Sequence, residues 1–122
     1  MSERLRTDLD ALSDSEVLDA ILYHLFPAFA PWAGVGQPLV YRWRPGRTPD
    51  TCFMDVWRLA PLPDDGSRPE AAPCTQLTLE QSWKEAPRMG GLADVFEQDM
   101  ENLPRVQAGL RSSGKRGVSF GN

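Results

Sequence analysis

Residues 91–110 read GLADVFEQDMENLPRVQAGL. Leu92, Phe96, Leu103, Val106 and Leu110 recur at the spacing of one helix face, so the stretch predicts an amphipathic helix. Asp99 interrupts that face. At about 100° per residue it lies within roughly 20° of the direction of Leu92, with Leu103 roughly 20° beyond Leu92. A carboxylate in the middle of an apolar stripe must be paired, protonated or bound to a cation, because burying it alone is costly. The residues leave two readings open. Asp99 is a ligand or catalytic carboxylate, or it forms a buried ion pair with Arg42, Arg44 or Arg58 from a facing strand. Glu97 and Glu101 are i, i+4 neighbours expected on a solvated side. With Asp99 they splay in different directions, so a three-carboxylate metal site is not expected from this segment. Pro104 removes a backbone donor and is expected to kink or restart the helix between 100 and 104.

Upstream, Leu39–Arg44 (LVYRWR) alternates, with Leu39, Tyr41 and Trp43 facing one way and Val40, Arg42 and Arg44 the other. A turn over Pro45–Asp50 leads to a second strand, Thr51–Ala60, and the two predict an antiparallel hairpin. Ser13-x-x-Glu16 has the form of a capping box, so a short helix starts there. Residues 20–26 read as a strand or a buried transition, Pro27 and Pro31 enforce extended or turning backbone, and 33–37 form a loop. Residues 61–74 hold four prolines and three carboxylates without periodicity, and so form a long loop. Val118-Ser119-Phe120 hints at another strand. The expected organisation is a single incomplete catalytic-domain fragment over 1–122. It has a lead-in at 1–12, a short helix and strands at 13–60, a loop at 61–80, the helix region at 81–112 and the start of a strand at 113–122.

The 122 residues carry a net charge of −4, with 41% hydrophobic and 25% charged residues. That balance argues against nucleic acid or an anionic membrane as the main partner. Arg105, Arg111, Lys115 and Arg116 suit a solvated helix C-terminus, where cations complement the helix dipole. No run reaches the roughly 20 apolar residues of a membrane span, and the start lacks a secretory signal pattern, so a cytoplasmic location is expected. Cys52 and Cys74 lack metal-ligand spacing and are expected as buried or semi-exposed thiols without a disulfide. His24 is the one histidine, and its apolar surroundings favour a core position over a ligand or acid/base role. Trp32, Trp43, Trp57 and Trp83 suit either core packing or an aromatic pocket. No nucleotide-binding or nucleophile-elbow motif occurs.

The segment VFEQDMENLPRVQAGLRSSGKRG, Val95–Gly117, closely resembles the end of the catalytic domain of Rieske-type non-haem iron oxygenases, the alpha subunits of aromatic-ring-hydroxylating enzymes. LYHLFPAFAPW, YRWRP and DVWRLAPLP resemble the preceding strands in the same order. The resemblance implies an α+β fold, part of a helix-grip (START/Bet v 1-like) domain with an antiparallel sheet packed on a long C-terminal helix. It also implies a mononuclear Fe(II) held by two histidines and one aspartate, of which Asp99 is the matching position here. Asn102 and Gln107 match polar positions of the motif and are assigned at most outer-shell hydrogen bonding. The implied partners are O2, a small organic and typically aromatic substrate, and a reductase or ferredoxin, with a homotrimer or α3β3 assembly for the parent. The two-histidine motif and the CxH…CxxH motif of the [2Fe–2S] Rieske cluster do not occur in this sequence. The expectation is therefore a fragment that supplies one iron ligand, binds no cofactor alone and is inactive alone. The alternative is a metal-free ligand-binding or interaction domain of helix-grip fold.

Overall fold

The computed structural model describes residues 8–36 and 38–117. The chain divides into two compact units, Met1–Ala71 and Ala72–Asn122. The expected strand at 118–120, residues 1–7 of the lead-in and Gln37 of the 33–37 loop lie outside the described residues.

The first unit is an antiparallel meander. A 3-10 turn, Leu9–Ala11, precedes helix α1, Asp14–Leu18. The predicted capping box is formed: the Ser13 side chain accepts from Glu16 N, and Glu16 accepts from Ser13 N at 2.9 Å. Strands β1 (Ile21–Leu22), β2 (Phe29–Ala33), β3 (Leu39–Pro45) and β4 (Cys52–Arg58) then form one sheet in the order β1-β2-β3-β4. The strand expected over 20–26 is cut to two exposed residues. A turn at 26–28 stops it, closed by the Leu25–Phe29 bridge, whose two backbone hydrogen bonds measure 2.7 and 3.1 Å. The predicted hairpin is present, with Leu39 opposite Arg58 and Pro45 opposite Cys52. Gly46 is required at its turn. A Cβ there would lie 2.3 Å from Thr51 Oγ1 and 2.7 Å from Thr51 O, because Gly46 N donates to that carbonyl.

The alternation predicted for β3 separates two faces. Leu39 and Tyr41 are buried with Ala30 of β2, and the Tyr41 ring meets Trp32 edge-on at 6.2 Å and Trp43 at 5.8 Å. Trp57 lies on the opposite face, so the tryptophans of this sheet do not line one pocket. On that opposite face Asp55 takes two arginines. Arg42 donates Nε and Nη2 to Oδ2 at 2.9 and 2.7 Å, while Arg44 donates Nε to Oδ2 at 2.7 Å and Nη2 to Oδ1 at 3.0 Å. Each guanidinium also lies over an aromatic ring, Arg42 over Trp57 at 5.0 Å and Arg44 over Phe53 at 5.1 Å. Cross-strand charge pairing and cation–π contact thus fix the β3–β4 register from the outside.

In the second unit a 3-10 turn, Trp83–Glu85, precedes helix α2, Leu92–Ser112. The helix runs unbroken through Pro104, so of the kink or restart expected between 100 and 104 the restart does not occur. One missing donor is tolerated when the flanking turns are intact, and Arg105 bridges back to Glu101 at 2.7 Å. Trp83 stacks on Phe96 with ring centroids 4.7 Å apart, and Met89, Ala93 and Phe96 are the buried apolar residues of this unit. Together the units give a four-stranded antiparallel sheet and a C-terminal helix, the α+β class expected from the sequence.

Both units rest on few contacts, and two outcomes follow. The Arg44 hydrogen bonds, with Arg42 alongside, hold the Asp55 carboxyl down at about 2. An unfolded aspartate titrates near 3.9, so the stabilisation is complete above that value and disappears as pH falls towards about 2. The urea midpoint of the sheet, followed by tryptophan fluorescence, is expected to drop across that window. Asp55→Asn removes this part of the drop and lowers stability by about 1 kcal/mol at neutral pH. In the helical unit, Phe96→Ala takes away the ring on which Trp83 stacks and is expected to cost about 3 kcal/mol. Amide exchange over residues 92–100 is the measurement, and unchanged protection would contradict the packing described.

Candidate functional site

Asp99 lies on α2 and is exposed within its own unit, away from the side chains which that unit buries. The physical reason is the phase of the helix. Its covered side is centred on Ala93, Phe96 and the half-buried Met100, while Val95, Leu103, Val106 and Leu110 are each about half exposed. Asp99 falls among the second set. The arginines weighed as its ion-pair partners, Arg42, Arg44 and Arg58, all belong to the other unit. Arg42 and Arg44 are spent on Asp55, because all three side chains share one sheet face. Among the described residues of its unit Asp99 has no hydrogen-bond or ion-pair partner, and its side chain is exposed there.

The neighbouring carboxylates behave differently from each other. Glu101 is exposed and paired with Arg105, as a solvated position should be. Glu97, expected on the same solvated side, is half-buried and engaged. One of its oxygens accepts from Ser82 Oγ at 2.5 Å and from Trp83 N at 2.6 Å. Those two donors, the Ser82 hydroxyl foremost, hold the Glu97 carboxyl below its ordinary range. Ser82 is itself the cap of the 3-10 turn, with Lys84 N donating to its hydroxyl at 3.1 Å and Ser82 N donating to Glu85 at 3.1 Å. Lys84 reaches Asp94 at 2.8 Å, and that contact raises the lysine's pKa. Sequence reasoning missed Ser82 and Glu97 as a pair. The usable signal was the second Ser-x-x-Glu box, Ser82 to Glu85, which marks a capped turn just before the helix.

Of the other residues singled out, Asn102 is exposed and Gln107 is half-buried, both on α2. His24 is exposed, which corrects the expected core position: the apolar run around it stays at the surface where the turn at 26–28 cuts the strand. Cys52 and Cys74 are free and exposed. No helix among the described residues is long and apolar enough to cross a membrane.

A facial-triad iron site needs two imidazole nitrogens and a carboxylate converging on one point. This chain offers a carboxylate at Asp99 and one imidazole, His24, which belongs to the other unit. Among the described residues no group of three histidine, cysteine, aspartate or glutamate side chains converges as metal ligands. The residues present therefore fit one arm of such a site and do not fit the whole.

No curated protein and no solved structure matches the chain. The family model described as ring hydroxylating alpha subunit (catalytic domain) matches it from residue 1 to residue 122. The sheet followed by a long C-terminal helix is consistent with the helix-grip fold of that domain. The chain belongs to the ring-hydroxylating alpha-subunit catalytic-domain family.

Proposed function

We propose that this chain supplies the carboxylate arm of the iron site in a ring-hydroxylating oxygenase alpha subunit, and that Asp99 is that arm. The observation that carries the reading is the state of Asp99. It is an exposed carboxylate without a described partner, flanked by Leu92, Val95, Leu103 and Val106, at the position matching the family's aspartate ligand. A free, hard oxygen donor on a helix is suited to a divalent cation, and the apolar side chains beside it suit a site closed off from water. In the intact subunit iron supplies the O2 chemistry, with electrons delivered from a reductase through the Rieske cluster to act on a small aromatic or related organic substrate. This chain's contribution is the ligand and the surface around it. Asn102 and Gln107 are at most hydrogen-bonding support for that ligand. Without the two histidines, the 122 residues do not hold iron or oxygenate substrate by themselves.

Two measurements test this. The purified 122-residue chain, loaded anaerobically with Fe(II) and desalted, is expected to retain far less than stoichiometric iron and to show no reductase-dependent oxygenation. Stoichiometric iron would overturn the one-arm reading. In an alpha subunit that carries this segment together with the two histidines, Asp99→Ala is expected to abolish iron retention. Full iron occupancy in that variant would remove Asp99 as the ligand.

A further inference from the structure

Helix α2 presents two apolar faces. Ala93, Phe96 and Met100 make one, and Leu92, Val95, Leu103, Val106 and Leu110 make the other, with Asp99 in its middle. At about 100° per residue the two faces are centred less than a right angle apart. Trp83 covers the first face by stacking on Phe96. Apolar burial is non-directional, and the second face offers at least as much aliphatic surface, so hydrophobic contact alone does not select where the indole sits. The directed contacts do. Glu97 accepts from both Ser82 Oγ and Trp83 N, and by helical geometry it points about 160° away from Asp99. The Lys84–Asp94 pair lies on the same far side, but it is exposed at both ends and therefore weak.

We propose that Glu97 is a positioning residue: its hydrogen bonds to Ser82 and Trp83 lock the 3-10 turn across the Phe96 face and so keep Trp83 off the Asp99 face of α2. The proposal deepens the reading of Asp99 as a ligand arm and rests on it for its purpose, though its geometry stands without iron. The lock is strong for its size because its members satisfy one another. The Ser82 hydroxyl donates to Glu97 while accepting from Lys84 N, and the Trp83 amide that Glu97 takes is one the short 3-10 turn leaves without a backbone acceptor. The chain between the turn and the helix reverses through left-handed backbone at Arg88 (φ 74°) and Gly90 (φ 56°), which brings Ser82 and Trp83 back onto α2. Released from Glu97, Trp83 would have the apolar side chains of the second face, Leu92 and Val95, as an alternative seat, and occupying it would cover Asp99.

The test uses the full 122-residue chain and two readouts that need no metal. One is the set of proton–proton contacts from the Trp83 indole, to Phe96 or to Leu92 and Val95. The other is the rate at which a carbodiimide couples glycine ethyl ester to Asp99, resolved by peptide mass spectrometry. Glu97→Gln keeps the accepting oxygen and is expected to match the wild type in both. Glu97→Ala is expected to lose the Trp83–Phe96 contacts, gain contacts to Leu92 and Val95, and slow coupling at Asp99 several-fold. Wild-type contacts in Glu97→Ala would overturn the proposal, and so would release of Trp83 with Asp99 coupling unchanged. Should Glu97→Ala lose its helix, Ser82→Ala removes one of the two donors. A smaller shift in the same direction supports the lock, and no shift overturns it. Iron retention by Asp99→Ala in the intact subunit would end the ligand reading while leaving these contacts and rates as measured, so the two failures are distinguishable.

Discussion

The helical part of this chain is held by one turn of helix. Phe96 supplies the ring on which Trp83 stacks, and Glu97 supplies the oxygen that takes the Ser82 hydroxyl and the Trp83 amide. These two adjacent side chains do complementary work. The ring gives burial, which is large but indifferent to direction, and the carboxylate gives direction, which area cannot. Everything C-terminal to Met100 in the described helix is exposed apart from the half-buried Gln107, so the phase of the whole helix is set at its N-terminal end. Asp99 inherits its orientation from that phase.

The sheet is organised on a similar division. Its buried side rests on Ala30, Leu39 and Tyr41, and its other side is tied by Asp55 between two guanidiniums that are themselves seated on aromatic rings. A register slip of one residue would exchange the two faces, placing arginines where Leu39 and Tyr41 are buried. The charge ladder therefore opposes the same error that the apolar face opposes. The two constraints agree, which is why a hairpin of two seven-residue strands reads so clearly from its sequence.

That agreement also explains which features were legible in the residues. The β3–β4 pair, the Ser13–Glu16 capping box and the long helix each carry a local pattern that the fold keeps. The position of Asp99 on the helix was legible, but the side of α2 that its own unit covers was not. Apolar residues occupy so much of the circumference of α2 that the period alone permits more than one covered stripe, and Trp83, nine residues before the helix, selects among them. The same cause divided the acidic pair. Glu97 and Glu101 look alike at i, i+4 spacing, and only the position of Ser82 makes one of them a fastening and leaves the other to a surface pair with Arg105. His24 shows the converse error. Apolar neighbours suggested a core, but Pro27 and the turn around it end the strand that would have built one.

The placement of Asp99 bears on what must come against it. In water its carboxylate costs nothing, and the exposed Leu103, Val106 and Leu110 carry the penalty instead. Any surface that covers those side chains removes water from Asp99 as well, and a desolvated carboxylate without a counter-charge would cancel much of what the apolar contact gains. A covering surface that is only apolar is thus disfavoured at this position, whereas one that brings a cation is favoured twice, by area and by charge. A divalent metal held by neutral imidazoles meets that requirement without placing a second long charged side chain in the site. On the reading proposed here, Asp99 is one ligand of three and also the residue that makes coverage of this helix face conditional on the metal being there.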